Sequence, residues 1–190
     1  MNFLNQYEIG ILDFIQEHLS CGFLNKVMPI ITMLGDAGIF WIMIAVIMLF
    51  FRQTRKTGLT MGLAMIMGLL IGNATLKPFV ARIRPYDVNE GIQLLIEKLH
   101  DFSFPSGHTL ASFEAAGVLM ICERRRFGYP ALALAIIIAF SRLYLYVHYP
   151  TDVLAGAALG LLFAYLSYLI INALFRKFAP DFDRSVSRKN

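Results

Sequence analysis

Long apolar runs separated by short polar segments are the dominant pattern of this chain. A helix needs about 20 mostly apolar residues to cross the hydrocarbon core of a bilayer. Five stretches come close to that length, and we expect them to cross near Ala37–Phe51, Gly58–Val80, Gly107–Cys122, Tyr129–Leu145 and Asp152–Phe175. The pattern predicts an all-α, polytopic membrane helical bundle that forms a single domain over residues 1–178, with a polar tail at 179–190.

The N-terminal residues follow a different pattern. Over Tyr7–Leu19 the apolar positions Ile11, Leu12, Ile15 and Leu19 share one helical face, and Glu8, Asp13, Glu17 and His18 lie mostly on the other. This arrangement predicts an amphipathic helix in the membrane interface. Phe23–Leu34 is a second apolar segment, about 18 Å long as a helix, which is too short to cross alone. We therefore predict five or six transmembrane helices and one N-terminal interfacial helix.

Composition supports the bilayer as solvent, since 57% of the 190 residues are hydrophobic and only 16% are charged. The net charge of +4 does not indicate nucleic-acid binding, because apolar spans interrupt the basic residues and no basic stripe with interleaved aromatics forms. Cys21 and Cys122 are predicted at opposite membrane faces, too far apart for a disulfide, and no CxxC motif suggests redox chemistry or zinc binding.

The positions of the basic residues predict an orientation. Eleven of the 17 fall on one face of the five-crossing arrangement: Arg52, Arg55, Lys56, Arg124, Arg125, Arg126, Arg176, Lys177, Arg184, Arg188 and Lys189. The positive-inside rule makes that face cytoplasmic. The tail is then cytoplasmic, and the opposite face looks out of the cytoplasmic membrane.

Three polar clusters lie at helix ends on this outer face. The first runs from Lys77 to Arg84-Pro85, the second is Pro105-Ser106-Gly107-His108, and the third joins Ser141-Arg142 to His148 and Asp152. Because all three meet the same surface, we expect them to form one pocket. The cations Lys77, Arg84 and Arg142 suit phosphate oxygens. The helix beginning at Ser106 and Gly107 offers unpaired backbone N–H groups to the same anion.

The two histidines of these clusters suggest a covalent mechanism. His148 precedes Asp152 by four residues, so the carboxylate can fix one ring nitrogen and leave the other free to attack phosphorus. His108, beside the anion-binding helix start, can act as general acid and base. The cationic set supplies the transition-state electrostatics. We therefore expect no metal and no cofactor.

The clusters resemble the tripartite signature of the type 2 phosphatidic acid phosphatase superfamily, K-x6-RP, PSGH and SR-x5-H-x3-D. Eleven fixed positions match in order, and the similarity covers Leu76–Asp152 closely. The resemblance implies that His148 is the nucleophile, Asp152 its partner and His108 the general acid and base. It also implies that phosphate is bound by Lys77, Arg84, Ser106, Gly107 and Arg142.

The short length and outward-facing site are similar to those of bacterial undecaprenyl diphosphatases and phosphatidylglycerophosphate phosphatases, which the motifs do not separate. We expect conversion of undecaprenyl diphosphate to undecaprenyl phosphate and phosphate. Hydrolysis of phosphatidylglycerophosphate or phosphatidic acid is the alternative. A lipid or anion transporter is the alternative of another class. Against it, no internal repeat is visible and the clusters lie at a surface rather than at the midplane.

Taken one at a time, most of the candidate residues have simpler structural explanations. A lone histidine near a helix end is more often interfacial than catalytic, and a lone basic residue there commonly snorkels to the interface. Arg82 and Lys98 are expected only to snorkel, and Ser141 only to pack or hydrogen-bond. Glu114 and Asn73 lie inside predicted spans, where function and helix–helix hydrogen bonding are both open. The pattern predicts no structure for the Tyr86–Ser103 loop.

Overall fold

A computed structural model describes residues 3–89, 91–123 and 125–179, in which the regular elements are helical. They are α1 (Phe3–Leu19), α2 (Gly22–Met33), a short 3₁₀ turn (Asp36–Gly38), α3 (Ile39–Phe50), α4 (Arg55–Met67), a π-helical segment (Gly68–Leu76), α5 (Lys77–Val80), α6 (Pro85–Val88), α7 (Gly107–Cys122), α8 (Arg125–Tyr144) and α9 (Pro150–Phe178). The all-α prediction is confirmed for these residues. The predicted polar tail lies outside them, apart from Ala179.

Three helical stretches of the described residues are long and apolar enough to cross a membrane: Arg55–Val88, Arg126–Tyr144 and Pro150–Phe178. A fourth arises if Gly22–Met33 and Asp36–Phe50, bent by 41° relative to each other, count as one span. Helix α7 is apolar but shorter, at 16 residues. The structure therefore supports a multi-pass helical membrane protein with three or four candidate spans. The count of five or six remains a prediction.

The structure refines the first predicted crossing. The sequence places it near Ala37–Phe51 and leaves Phe23–Leu34 as a segment too short to cross alone. In the structure the two helices reach span length only together. They are separated by a break at Gly35–Gly38, where Ala37 (φ 48°) and Gly38 (φ 67°) adopt positive φ angles. Such angles end an α-helix.

Helix α7 forms the centre of the bundle and packs against α4, α8 and α9. Its contact with α9 depends on two glycines four residues apart. A Cβ at Gly156 would lie 2.8 Å from the Ser106 carbonyl oxygen, and one at Gly160 would lie 2.7 Å from that of Leu110. This small-residue spacing lets two membrane helices approach closely. It places the start of α9 beside the start of α7.

The basic loops and the motif clusters occupy opposite ends of the bundle. At one end Thr57 donates a hydrogen bond to Glu123 (2.6 Å), and Lys56 lies over the Phe175 ring. At the other end the Ser106 N–H donates to the Asp152 carbonyl oxygen (3.1 Å). The separation of basic loops from motif residues, expected from the sequence, is therefore present.

Helix α1 lies at the motif end and packs against α8. Its apolar residues Leu12 and Ile15 are buried in a cluster with Met28 and Tyr144. Glu8, which the amphipathic pattern assigned to the polar face, is only 2% exposed. The helix is therefore present as predicted, but both faces contribute to the packed protein.

Candidate active site

His148, in the loop between α8 and α9, brings two of the sequence clusters together. Its Nε2 lies 3.3 Å from Arg84 Nη1, and its Nδ1 lies 3.6 Å from Asp152 Oδ2. The histidine is 1% exposed. Nδ1 therefore faces the carboxylate, and Nε2 faces Arg84, a predicted phosphate-binding residue.

Asp152 is fully buried in the first turn of α9 and is held by several donors. Its Oδ2 accepts hydrogen bonds from the Tyr149 N–H (2.9 Å) and from Ser103 Oγ, which itself lies 3.5 Å from His148 Nδ1. The 3.6 Å gap between histidine and aspartate exceeds hydrogen-bond length. Catalytic hydrogen bonds are often this long before substrate binds.

Burial lowers the pKa of His148 to about 3. The positive charges of Arg84 and Arg142 act in the same direction, whereas Asp152 opposes them. A histidine with a lowered pKa is uncharged at neutral pH, so its free nitrogen carries a lone pair. That protonation state is the one a nucleophile requires.

Two of the predicted phosphate-binding cations, Arg84 and Arg142, lie close to this histidine. Arg84 donates to the Asp101 and Val147 carbonyl oxygens, at 2.8 and 2.7 Å. Arg142 is 1% exposed, and one of its nitrogens donates to Thr32. Its Nε and Nη2 have no hydrogen-bond partner among the residues that the structure describes. A buried guanidinium with two unpaired nitrogens is a favourable place for a hydrogen-bond acceptor such as a phosphate oxygen.

The Asp101 carboxylate pairs with two of the predicted phosphate-binding residues, Lys77 and Arg84. One of its oxygens contacts Lys77 Nζ, and the other contacts Arg84 Nη2 (2.5 Å). Burial alone would raise the pKa of Asp101, but its pairing with Lys77 and Arg84 lowers it to about 2. The side chain is 52% exposed. An anionic group therefore already bridges two of the cations expected to bind phosphate.

His108, at the start of α7, faces a carboxylate from the break between α2 and α3. Its Nε2 lies 2.7 Å from Asp36 Oδ1. It is close enough to Arg142 and His148 to interact with both electrostatically. The second cluster therefore joins the other two. Ser106 and Gly107 begin the same helix, with Ser106 fully buried and accepting a hydrogen bond from Thr109 (3.0 Å).

Gly35 leaves the space that the His108 ring occupies. A Cβ at Gly35 would lie 2.7 Å from His108 Cδ2, although the backbone there (φ −94°) suits any residue. We expect Gly35→Ala to displace the imidazole and lower kcat/KM by about 10- to 100-fold, since small misplacements of catalytic groups are this costly. Gly22→Ala is the matched control, because nothing lies within 4 Å of a Cβ there and Gly22 does not line the site. Steady-state phosphate release measures the activity of both variants. Equal activity would contradict the assignment of His108 as general acid and base.

The structure adds residues that the sequence reading missed: Glu8, Asp36, Asp101, Ser103 and Arg82. The snorkelling assigned to Arg82 is wrong. Its guanidinium is mostly buried and donates to Asp152 Oδ1 (2.6 Å). Lys98 pairs with Asp87 at the surface (3.4 Å). Ser141 donates to its own helix at Ile138 (2.6 Å).

A groove of about 900 Å³ leads away from this site. It begins at Lys77, Asp101 and His108 and continues between α3 and α4 as far as Leu49 and Gly58. Its walls are mainly apolar side chains and glycines. The groove thus joins a cationic end to an apolar channel along the helices.

Comparison with known proteins identifies relatives over most of the chain. The profile of the "PAP2 superfamily" matches residues 57–176. An undecaprenyl-diphosphatase of Sulfolobus acidocaldarius is 31% identical over 77% of this chain and 70% of its own length. Phosphatidylglycerophosphatase B of Bacillus subtilis is 35% identical over 75% and 73%. The crystal structure of a PAP2-type phosphatidylglycerolphosphate phosphatase from Bacillus subtilis superposes with a TM-score of 0.72, at 28% identity, covering 94% of this chain and 89% of that one.

Proposed function

This chain belongs to the PAP2 superfamily of membrane lipid phosphatases, and we propose that it converts undecaprenyl diphosphate to undecaprenyl phosphate and inorganic phosphate. The superfamily assignment makes it a hydrolase of lipid phosphomonoesters or diphosphates. We propose undecaprenyl diphosphate as the substrate, and we propose the role of each residue in the reaction.

The observation that carries the proposal is the buried, half-satisfied guanidinium of Arg142 beside a neutral histidine. Arg142 has two nitrogens without a hydrogen-bond partner in the described part of the chain, and its charge acts on His148 and on Lys77. A terminal phosphate bound among Arg142, Arg84 and Lys77 would fill those donors. It would also lie on the Nε2 side of His148, where in-line attack is possible.

The residues support a two-step transfer. In the first step His148 Nε2 forms a bond to the terminal phosphorus while the bond to the bridging oxygen breaks, and His108 protonates the departing oxygen. Asp152 stabilises the positive ring that results. In the second step His108 removes a proton from water, whose oxygen attacks phosphorus and releases His148 and inorganic phosphate. Lys77, Arg84, Arg142 and the N–H groups around Ser106 and Gly107 bind the equatorial oxygens.

The groove supports a lipid substrate. A long hydrocarbon chain would lie in its apolar part while the phosphate reaches His108 and Lys77. The same arrangement fits diacylglycerol phosphates, and the 35% identity to a phosphatidylglycerophosphatase keeps phosphatidylglycerophosphate as the second candidate. Phosphatidic acid is the third.

We further propose five crossings, with the bent α2–α3 unit as the first and the motif end facing outside the cytoplasm. The basic loops gathered at the opposite end support that orientation through the positive-inside rule.

A substrate panel tests the proposal. Purified protein in detergent with excess chelator receives undecaprenyl diphosphate, phosphatidylglycerophosphate or phosphatidic acid, and released phosphate is measured. We expect the highest kcat/KM for undecaprenyl diphosphate and no loss on chelation. A preference for another lipid would change the substrate, and full loss on chelation would overturn the metal-independent mechanism.

The orientation is tested with the same reaction in sealed right-side-out membrane vesicles. Inorganic phosphate crosses a bilayer poorly, so it should collect in the external buffer before the vesicles are lysed. Phosphate that appears only after lysis would place the site on the cytoplasmic face.

A further inference from the structure

Arg82 links the catalytic carboxylate to the N-terminal helix. Its Nη1 donates to Asp152 Oδ1 (2.6 Å) and to Thr151 Oγ1 (2.7 Å). Its Nη2 donates to Glu8 Oε2 (2.5 Å) and to Asn5 Oδ1 (2.7 Å). The guanidinium thus bridges two carboxylates that lie 144 positions apart in the sequence.

Burial makes this bridge energetically significant. Asp152 is fully buried, Glu8 is 2% exposed and the Arg82 side chain is 14% exposed. Carboxylates shielded from water in this way are stable only when paired. Glu8 has a second set of contacts, since its Oε1 accepts from both the backbone N–H and the hydroxyl of Thr151, each at 2.7 Å. Helix α1 is therefore attached to the first turn of α9 at the position before the catalytic aspartate.

The contacts divide the two oxygens of Asp152 between separate tasks. Oδ1 receives Arg82, whereas Oδ2 faces His148 Nδ1, Ser103 Oγ and the Tyr149 N–H. With Oδ1 fixed, the carboxylate cannot rotate without breaking a buried ion pair. The Arg82 guanidinium also lies 3.8 Å from the centre of the Tyr149 ring, which restricts it further.

Arg82 and Arg84 differ in role although they are two residues apart. Arg84 contacts His148 Nε2 and therefore lies on the side where phosphate would bind. The contacts of Arg82 lie behind Asp152, with α1 and the start of α9. Ala81, whose φ of 48° ends α5, turns the chain between Lys77 and these arginines.

From this geometry we propose that Arg82 is a positioning residue for the Asp152–His148 pair, and that Glu8 of α1 holds Arg82 in place. The proposal rests on the phosphatase function proposed above. It assigns α1 a part in the chemistry, because the helix supplies the counter-charge that keeps the arginine directed at Asp152.

The test compares Arg82→Gln, Arg82→Lys and Glu8→Gln with wild type. Partners that orient a functional histidine from behind are worth about 10- to 100-fold, and we expect Arg82→Gln to lower kcat by that factor with KM little changed. Arg82→Lys should recover part of the loss, since lysine keeps the charge but not the planar fork. Glu8→Gln should lower kcat in the same way but less. Lys98→Gln is the matched control, because Lys98 is a basic residue of the same end whose pairing with Asp87 is solvent-exposed.

A double-mutant cycle separates positioning from general stability. If Arg82 acts through Asp152, Arg82→Gln should cause little further loss in an Asp152→Asn background, whereas independent effects multiply. Full multiplication of the two losses, or a rise in KM with unchanged kcat, would overturn the proposal. Should Arg82→Gln not fold, the cycle is run with Arg82→Lys and read by the same criterion. Inactivity of wild type and Lys98→Gln on the whole panel would instead refute the phosphatase function itself.

Discussion

Replacing His148 with alanine should abolish phosphate release while the protein stays folded. Loss of a catalytic nucleophile costs about 10⁴- to 10⁶-fold in kcat, and the groups that surround His148 are placed to serve it rather than to replace it. Arg84 faces its Nε2 and Asp152 faces its Nδ1. Neither arginine nor a paired carboxylate can form the phosphohistidine. Initial rates on undecaprenyl diphosphate measure the effect.

Two controls make this result specific. His100→Ala removes an exposed histidine of the same end and should keep wild-type activity. A brief reaction of wild type with radiolabelled substrate, quenched at alkaline pH where the N–P bond survives, should label the protein, and His148→Ala should not become labelled. A near wild-type rate in the alanine variant would remove His148 from the role of nucleophile.

Replacing Arg142 with methionine should separate activity from stability. Arg142 is 1% exposed and leaves Nε and Nη2 without partners among the described residues. Because Arg142 forms no direct ion pair among the described residues and its burial is unfavourable, an apolar side chain of similar length should leave the free energy of unfolding unchanged or higher. The same change removes a donor that we propose binds the transferring phosphate, and it should lower kcat/KM by about 10²- to 10³-fold.

The matched variant is Arg126→Met. It removes an arginine from the same helix, α8, at the exposed end remote from the site. Thermal unfolding and phosphate release should both stay near wild type. The opposite result is that Arg142→Met unfolds at a much lower temperature and keeps its activity in the folded fraction. That result would make Arg142 a structural residue and would contradict its proposed binding of phosphate.

The meeting of the three motif clusters at one end of the bundle could be predicted because their residues occur where helices begin and end. Helix α7 spans Gly107–Cys122 as predicted, and the loop before α9 places His148 beside Asp152. Helix ends follow from local hydropathy, so they are visible in a single sequence. Whether α2 and α3 form one bent span could not be predicted, because two short apolar segments do not indicate whether they continue each other.

The supporting charges could not be predicted in the same way. Arg82 occupies an unspecified position of the first motif, and a lone basic residue at a helix end looks like a snorkelling one. Its partner Glu8 reaches it only after α1 packs on α8, and no local pattern encodes that docking. Asp36 and Asp101 come from a helix break and a long loop. Their contacts depend on tertiary folding.

The carboxylate of Asp101 has a consequence for the catalytic cycle. Because it already bridges Lys77 and Arg84, a phosphate bound by these two residues as proposed would enter by anion exchange, and its affinity would be the difference between two sets of ion pairs. The same competition would operate in reverse at the end of each turnover. As inorganic phosphate loosens, Asp101 can rebind the two cations and favour product release, so a strongly cationic site need not retain the anion it has produced.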